Sequence, residues 1–265
     1  MGGSYAQAFN DSSNLYFDFF SVFVSGFVVT FALMLQPHIL TKVLYLRSDR
    51  DIGKFIGTTA VVGTLFTLML MIGFYARLAG LEIDAQDTVV REYLLHEFGS
   101  SAWGEYVLVF IFLTLLAAGM STLDGILVAL SAMVVNDIVK PLAGESSNGL
   151  VLSRWVLVAV GIVGVLLAWN PPPLIGLFAQ KGVYGLAAAS LVPVLFGVLL
   201  RRHIPLWVVV GAAALGLSLH LFFNLVMGIA NPAISASYGI FASLAFGLFG
   251  LAVTRGEASR HGGDM

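Results

Sequence analysis

The stretch 113–140, LTLLAAGMSTLDGILVALSAMVVNDIVK, lies in an apolar run from Tyr106 to Val135, and it limits what this chain can fold into. A run of that length crosses the hydrocarbon core of a bilayer with some tilt or overhang. Near its middle stand small residues, two adjacent hydroxyls and a carboxylate: Ala117, Ala118, Gly119, Ser121, Thr122, Asp124 and Gly125. Polar side chains are costly at that depth, which leaves them a helix-pairing or a functional role. Further apolar runs of about 20 residues occur along the chain. Hydrophobic residues make up 58% of its 265 positions and charged residues 11%. That charged share is far below a soluble domain's, so the expectation is an all-α, multi-span membrane protein.

Seven membrane helices are expected, over 17–35, 55–78, 106–135, 152–169, 174–200, 206–227 and 236–253. Gln36-Pro37 closes the first, because proline cannot donate to the helical ladder and biases the preceding residue away from helix. Lys140-Pro141 ends the third, Asn170-Pro-Pro-Pro breaks the chain after the fourth, and Arg201-Arg202-His203 stops the fifth. An acidic stretch over 81–103 carries Glu82, Asp84, Asp87, Glu92 and Glu97, with a short surface helix expected over 89–98. The tail 255–265 is polar and expected to fray. The first 16 residues read as a polar loop entering a helix. They lack the basic and apolar regions of a signal peptide, so Met1 is an internal methionine or a truncated start.

Seven crossings alternate sides, and the basic residues sort accordingly. Lys42, Arg47, Arg50, Lys54, Lys140, Arg154, Arg201, Arg202, Arg255 and Arg260 fall on one side; Arg77, Arg91 and Lys181 are left on the other. The first side is therefore expected in the cytoplasm of a cell (inner) membrane, with the C-terminus there too. A net charge of −2 with no basic tail gives no footing for a nucleic-acid role. The absence of cysteine excludes disulfides and thiol chemistry. No histidine pair has metal-ligand spacing, and no phosphate-binding glycine loop occurs, so no enzyme and no cofactor is expected.

Two motifs carry a family resemblance. Ala117-Ala-Gly-Met-Ser-Thr-Leu-Asp resembles the sodium-site helix of the sodium:solute symporter family, and Gln36-Pro-His-Ile-Leu with its basic loop is similar to the motif after that family's preceding core helix. Their order and spacing match. The resemblance implies half of a LeuT-like fold of two inverted five-helix repeats, with ion and substrate sites at the repeat interface. Residues 17–200 would be the second repeat, 201–254 two additional helices and 255–265 a cytoplasmic tail. The N-terminal half of the transporter would be missing from this chain. Implied partners are Na+ as coupling ion, a small organic solute and the bilayer. The implied function is sodium-coupled symport by alternating access of a carboxylate, amino acid or pantothenate-like acid. The alternatives are a transporter-like sensor module, which the short tail counts against because it leaves no room for a kinase, and an inactive truncated fragment.

The residues can be read beside that resemblance. Sodium is a hard cation that prefers oxygen ligands. By resemblance Ala118, Ser121 and Thr122 supply them, Ala118 through its carbonyl. The plainer role for both hydroxyls is back-bonding within the helix or pairing helices. Asp124 is expected to tie its helix to a neighbour; a coupling-ion or proton site is the other reading. Lys181, about 10 Å into the fifth helix, either snorkels outward or faces an anionic solute. The resemblance places solute contacts along Gly26, Thr30, Ala32 and Leu33, and the lack of an aromatic at Ala32–Leu33 disfavours a sugar. Gln36 and His38 are expected to bond free backbone near Pro37 at the inner end of the first helix. His220 and Asn224, one turn apart, are expected to bond each other or a neighbour.

The topology is testable with single cysteines at Ser48, Thr88 and Ser259, probed in intact cells with an impermeant thiol reagent. Thr88→Cys should label from outside and the other two should not. External labelling of Ser48→Cys would overturn the orientation.

Overall fold

Helices that cross lipid must satisfy their own backbone groups, and the computed structural model is helical accordingly. It describes residues 9–36, 39, 46–83, 85–143, 148–172, 174–200 and 204–261, and no strand occurs among them. A π-helical turn (Phe20–Val24) leads into α1 (Ser25–Met34). Then follow α2 (Asp49–Leu70), α3 (Ile72–Leu78), α4 (Val89–Phe98), α5 (Ala102–Met133), α6 (Gly149–Ala168), α7 (Ile175–Leu199), α8 (Leu206–Leu221) and α9 (Pro232–His261).

Among the described residues six segments are long and apolar enough to cross a membrane: Asp49–Leu78, Ala102–Leu142, Gly149–Ala168, Ile175–Leu199, Leu206–Val226 and Pro232–Thr254. The first expected span falls short of that: Phe20–Met34 is apolar but shorter than the others. Its helix tightens at the end, where the Gln36 N–H bonds the Leu33 carbonyl at 3.1 Å, and Pro37 then withholds a donor. The short helix expected over 89–98 is α4.

Two expected stops do not operate. The third span continues past Val135 through a π turn (Val134–Val139) into a helical turn (Lys140–Ala143). The Lys140 N–H reaches back to Val135, so the ladder has already shifted where Pro141 lacks its donor. The last helix runs to His261, past Val253, because the single Gly256 is tolerated within a helix.

The chain divides into two compact units, Met1–Thr59 with Gly176–Met265, and Ala60–Ile175. In the first, Val29 and Ala32 of α1 join Ala187, Ala188, Leu191, Val192 and Phe196 of α7, Ala212 of α8, and Ala236, Ile240 and Leu251 of α9 in one apolar core. The backbones come unusually close. A Cβ on Gly216 would collide with the Ala188 carbonyl, and one on Gly239 with the carbonyl of Gly216. Only glycine permits that approach. Buried His220 staples the same junction: Nε2 bonds the Lys181 carbonyl at 2.8 Å and Nδ1 the Ser235 hydroxyl at 3.1 Å. A carbonyl only accepts, so the ring donates from Nε2, while the Ser235 hydroxyl lies 3.1 Å from both Nδ1 and the Pro232 carbonyl. Gly185 leaves room for it, since a Cβ there would sit 3.0 Å from His220 Cδ2. Asn231 caps α9 through the Ala233 N–H at 2.9 Å and donates to the Leu15 carbonyl at 2.6 Å.

In the second unit α5 packs along α6. The Ser101 hydroxyl caps α5 by accepting from the Gly104 N–H at 2.9 Å. Leu174, after three prolines, has φ 57°, and its N–H donates to Asp87 Oδ2 at 3.0 Å. That carboxylate holds a left-handed conformation a leucine seldom adopts. Within this chain the most apolar windows of Asp49–Leu78, Ala102–Leu142 and Gly149–Ala168 are 0%, 6% and 0% buried, against 44% for Pro232–Thr254.

Gly216→Ala and Gly239→Ala should each lower stability by about 1–3 kcal/mol through overpacking. Gly197→Ala, with open space around it, should be neutral or raise stability by roughly 0.5–1 kcal/mol. Unfolding in one detergent checks the contrast; equal effects at all three would contradict the close approach.

Candidate functional site

Helix α5 carries the sequence's main candidates. At 100° per residue, Ala118, Ser121, Thr122 and Gly125 share one face. Apolar residues on either side keep this segment helical at bilayer depth, so each hydroxyl must find a partner on its own helix or beyond it. Thr122 has done the first: its Oγ1 donates to the Ala118 carbonyl at 2.9 Å. Thr114, two turns earlier, does the same to Phe110 at 2.7 Å. Ser121 makes no hydrogen bond among the described residues. All three of Ala118, Ser121 and Thr122 are exposed in this chain.

The arrangement has a chemical direction. A hydroxyl whose proton is engaged on its own helix presents lone pairs, not a proton, to whatever approaches. Thr122 Oγ1 is in that state. Ser121 Oγ can adopt it by turning its proton to a carbonyl three or four residues back. The face thus offers neutral oxygens, the donors a hard monovalent cation takes. These three oxygens are about half of a six-fold shell, so the remaining donors must come from elsewhere. Among the described residues no group of three or more His, Asp or Glu is placed to hold a metal ion.

The other candidates are spread out. Asp124 lies about 60° round the helix from Ser121; it is exposed and has no hydrogen-bond or ion-pair partner among the described residues. Thr30 is exposed on α1, Ala32 is fully buried in the α1–α7–α9 core, and Leu33 packs against that core. Lys181 is half-buried, and its carbonyl rather than its ammonium makes the recorded contact, to His220. His38 lies outside the described residues. Two open cavities, about 560 Å3 beside Glu82, Glu92 and His96 and about 610 Å3 beside Asp11, Phe17 and Tyr238, belong to neither the α5 face nor the α1 candidates.

The structure gives partners to three polar residues singled out in the sequence: Gln36, His220 and Asn224. Gln36 Nε2 donates to Ser190 Oγ of α7 at 2.6 Å, and among the described residues its side chain makes no bond to backbone. Of the two arrangements expected for His220 and Asn224, each bonds a neighbour and not the other: Asn224 Nδ2 donates to the Ile229 carbonyl at 3.0 Å. Ser190 and Ser235 were not legible as partners. The available signal for Ser190 was a hydroxyl three residues before Pro193, inside an apolar helix.

Comparison with known proteins bears on this geometry. A family model described as the sodium:solute symporter family matches residues 4–204. The chain is 27% identical over 170 residues to the "High-affinity proline transporter PutP" of Bacillus subtilis (strain 168). That match covers 58% of this chain and 35% of the relative, so the chain spans about a third of the length of the curated relative it matches. No solved structure matches. The family match covers most of the chain and includes α1 through α7, among them the hydroxyl-bearing face of α5. With six apolar helices of spanning length, this multi-pass membrane chain belongs to the sodium:solute symporter family.

Proposed function

We propose that this chain is the second repeat, with two additional helices, of a sodium-coupled symporter for a small organic solute, working by alternating access in a LeuT-like fold. The observation that carries the reading is the α5 face. There Thr122 has its proton engaged on Ala118 while Ser121 stands unpaired beside it, within the stretch that matches the family. Ala118 O, Ser121 Oγ and Thr122 Oγ1 would ligate Na+. The rest of the shell would come from the N-terminal half, which the 35% coverage of the relative supports. The low burial of α2, α5 and α6 fits helices whose other faces are covered by that half.

Residues 17–200 correspond to the repeat, 201–254 to the added helices and 255–265 to a cytoplasmic tail. The protein would sit in the cell membrane with its C-terminus inside. No catalysis is assigned to it. The solute would be a carboxylate, an amino acid or a pantothenate-like acid, and the relative's description as a proline transporter favours an amino acid. Thr30 and Lys181 are the candidates for its pathway, with Ala32 and Leu33 shaping the wall behind Thr30. Asp124 would tie α5 to the N-terminal half. Sodium filling the shell would stabilise the arrangement competent to bind solute, so each ligand raises the affinity of the other.

Thr122→Ala in the full-length protein should raise the sodium needed for half-maximal uptake by roughly 5- to 150-fold, the usual span of such couplings. Solute affinity should fall with it and largely return at saturating sodium. Uptake against sodium concentration, normalised to membrane protein, reads this for Ser121→Ala, Thr122→Ala and the double variant. Parental sodium dependence in all three would remove α5 as the sodium helix.

A further inference from the structure

The break after α1 sits at a particular depth. The π turn of five residues and α1 of ten rise about 22 Å together, less than the roughly 30 Å of the hydrocarbon core. The Gln36 N–H then turns back to Leu33, and the Ile39 N–H to Gln36 at 2.9 Å. Non-helical backbone at that depth persists only against protein or water. Gln36 sends its side chain to Ser190, 154 residues away in sequence and fifteen residues along α7, so also about 22 Å from that helix's start. Counted from either helix, the contact falls beyond the midplane, on the side where the basic loops are expected.

The two partners are held by different contacts. Ser190 belongs to α7, which the Gly216–Ala188 approach and the His220 staple hold to α8 and α9. Among the described residues the end of α1 is held to α7 by apolar packing and by one side-chain hydrogen bond, between half-buried neutral groups. The Ser190 hydroxyl reaches the Ala187 carbonyl only at 3.5 Å, so its oxygen serves chiefly to accept from Gln36. A neutral bond of this kind shifts a two-state equilibrium by roughly fivefold. That is enough to bias a gate and too little to lock it.

We infer that the Gln36–Ser190 hydrogen bond is a latch that holds the broken end of α1 against α7 and closes the cytoplasmic route, with Gln36 as its positioning residue. The inference rests on the transport reading above but not on the sodium ligands. The structure shows the latch closed. Release of Gln36 from Ser190 lets the α1 end swing away and opens the path inward.

The test is the rate at which Met34→Cys, exposed on α1 beside the latch, reacts with a thiol reagent from the cytoplasmic side. It uses inverted vesicles of the full-length protein without sodium or solute, so its outcome is independent of Ser121 and Thr122. Gln36→Ala and Ser190→Ala should each raise the rate about fivefold. The double variant should add nothing further, and Ser190→Thr, which keeps the hydroxyl, should restore the parental rate. A purely structural contact would lower the amount of folded protein and leave the rate per folded molecule unchanged. An unchanged rate in both single variants, additive effects in the double variant, or no rescue by Ser190→Thr would overturn the latch.

Discussion

Inside a bilayer no water satisfies a stray donor or acceptor, so every polar group must find a partner in protein or lie against a cavity. The observed arrangements follow from how each segment meets that demand. Thr64, Thr67, Thr114 and Thr122 meet it within their own helices, each bonding the carbonyl four residues back. His220 meets it by joining three helices at once. Gln36 meets it by reaching across to α7. In the middle of α5, Ser121 and Asp124 do not meet it among the described residues, and they stand in the stretch that the family match covers.

The two units divide in the same way. Around α7, α8 and α9, small residues let backbones touch, and the apolar core is closed. Van der Waals contact and a few hydrogen bonds hold helices together in lipid, where no hydrophobic drive between them exists. The long helices of Ala60–Ile175 have small residues too, but Gly119, Gly125, Gly161 and Gly164 meet nothing within 4 Å. Small residues facing open space on an apolar helix are the surfaces a neighbouring helix uses. The two units thus differ in how much of their small-residue surface is covered within this chain.

Most helix positions were legible in the sequence because hydropathy measures the property that lipid selects. α4 was legible because its apolar residues recur at helical spacing between the turn residues that bound it. What failed were the stops. Pro141 looks like a terminator, yet a π turn ahead of it relieves the conflict, and π turns leave no clear sequence mark. The short α1 was overestimated because its apolar residues outnumber its helical ones. Of the candidate site, Ser121 and Thr122 stood out because hydroxyls beside small residues are rare in an apolar run. Ser190 did not, because its meaning depends on Gln36, 154 positions away, and no local pattern reports such a pairing.

The central claim is that the oxygens of Ala118, Ser121 and Thr122 bind sodium only when the rest of the shell is supplied. Binding to the folded state alone raises stability in proportion to the logarithm of ligand over dissociation constant. Thermal unfolding in matched sodium and potassium buffers therefore reads the site without any transport. The full-length protein should unfold at a higher temperature in sodium, the Ser121→Ala, Thr122→Ala double variant should lose that difference, and the 265-residue chain alone should show none. An equal sodium effect in the double variant, or a full effect in the isolated chain, would contradict the account.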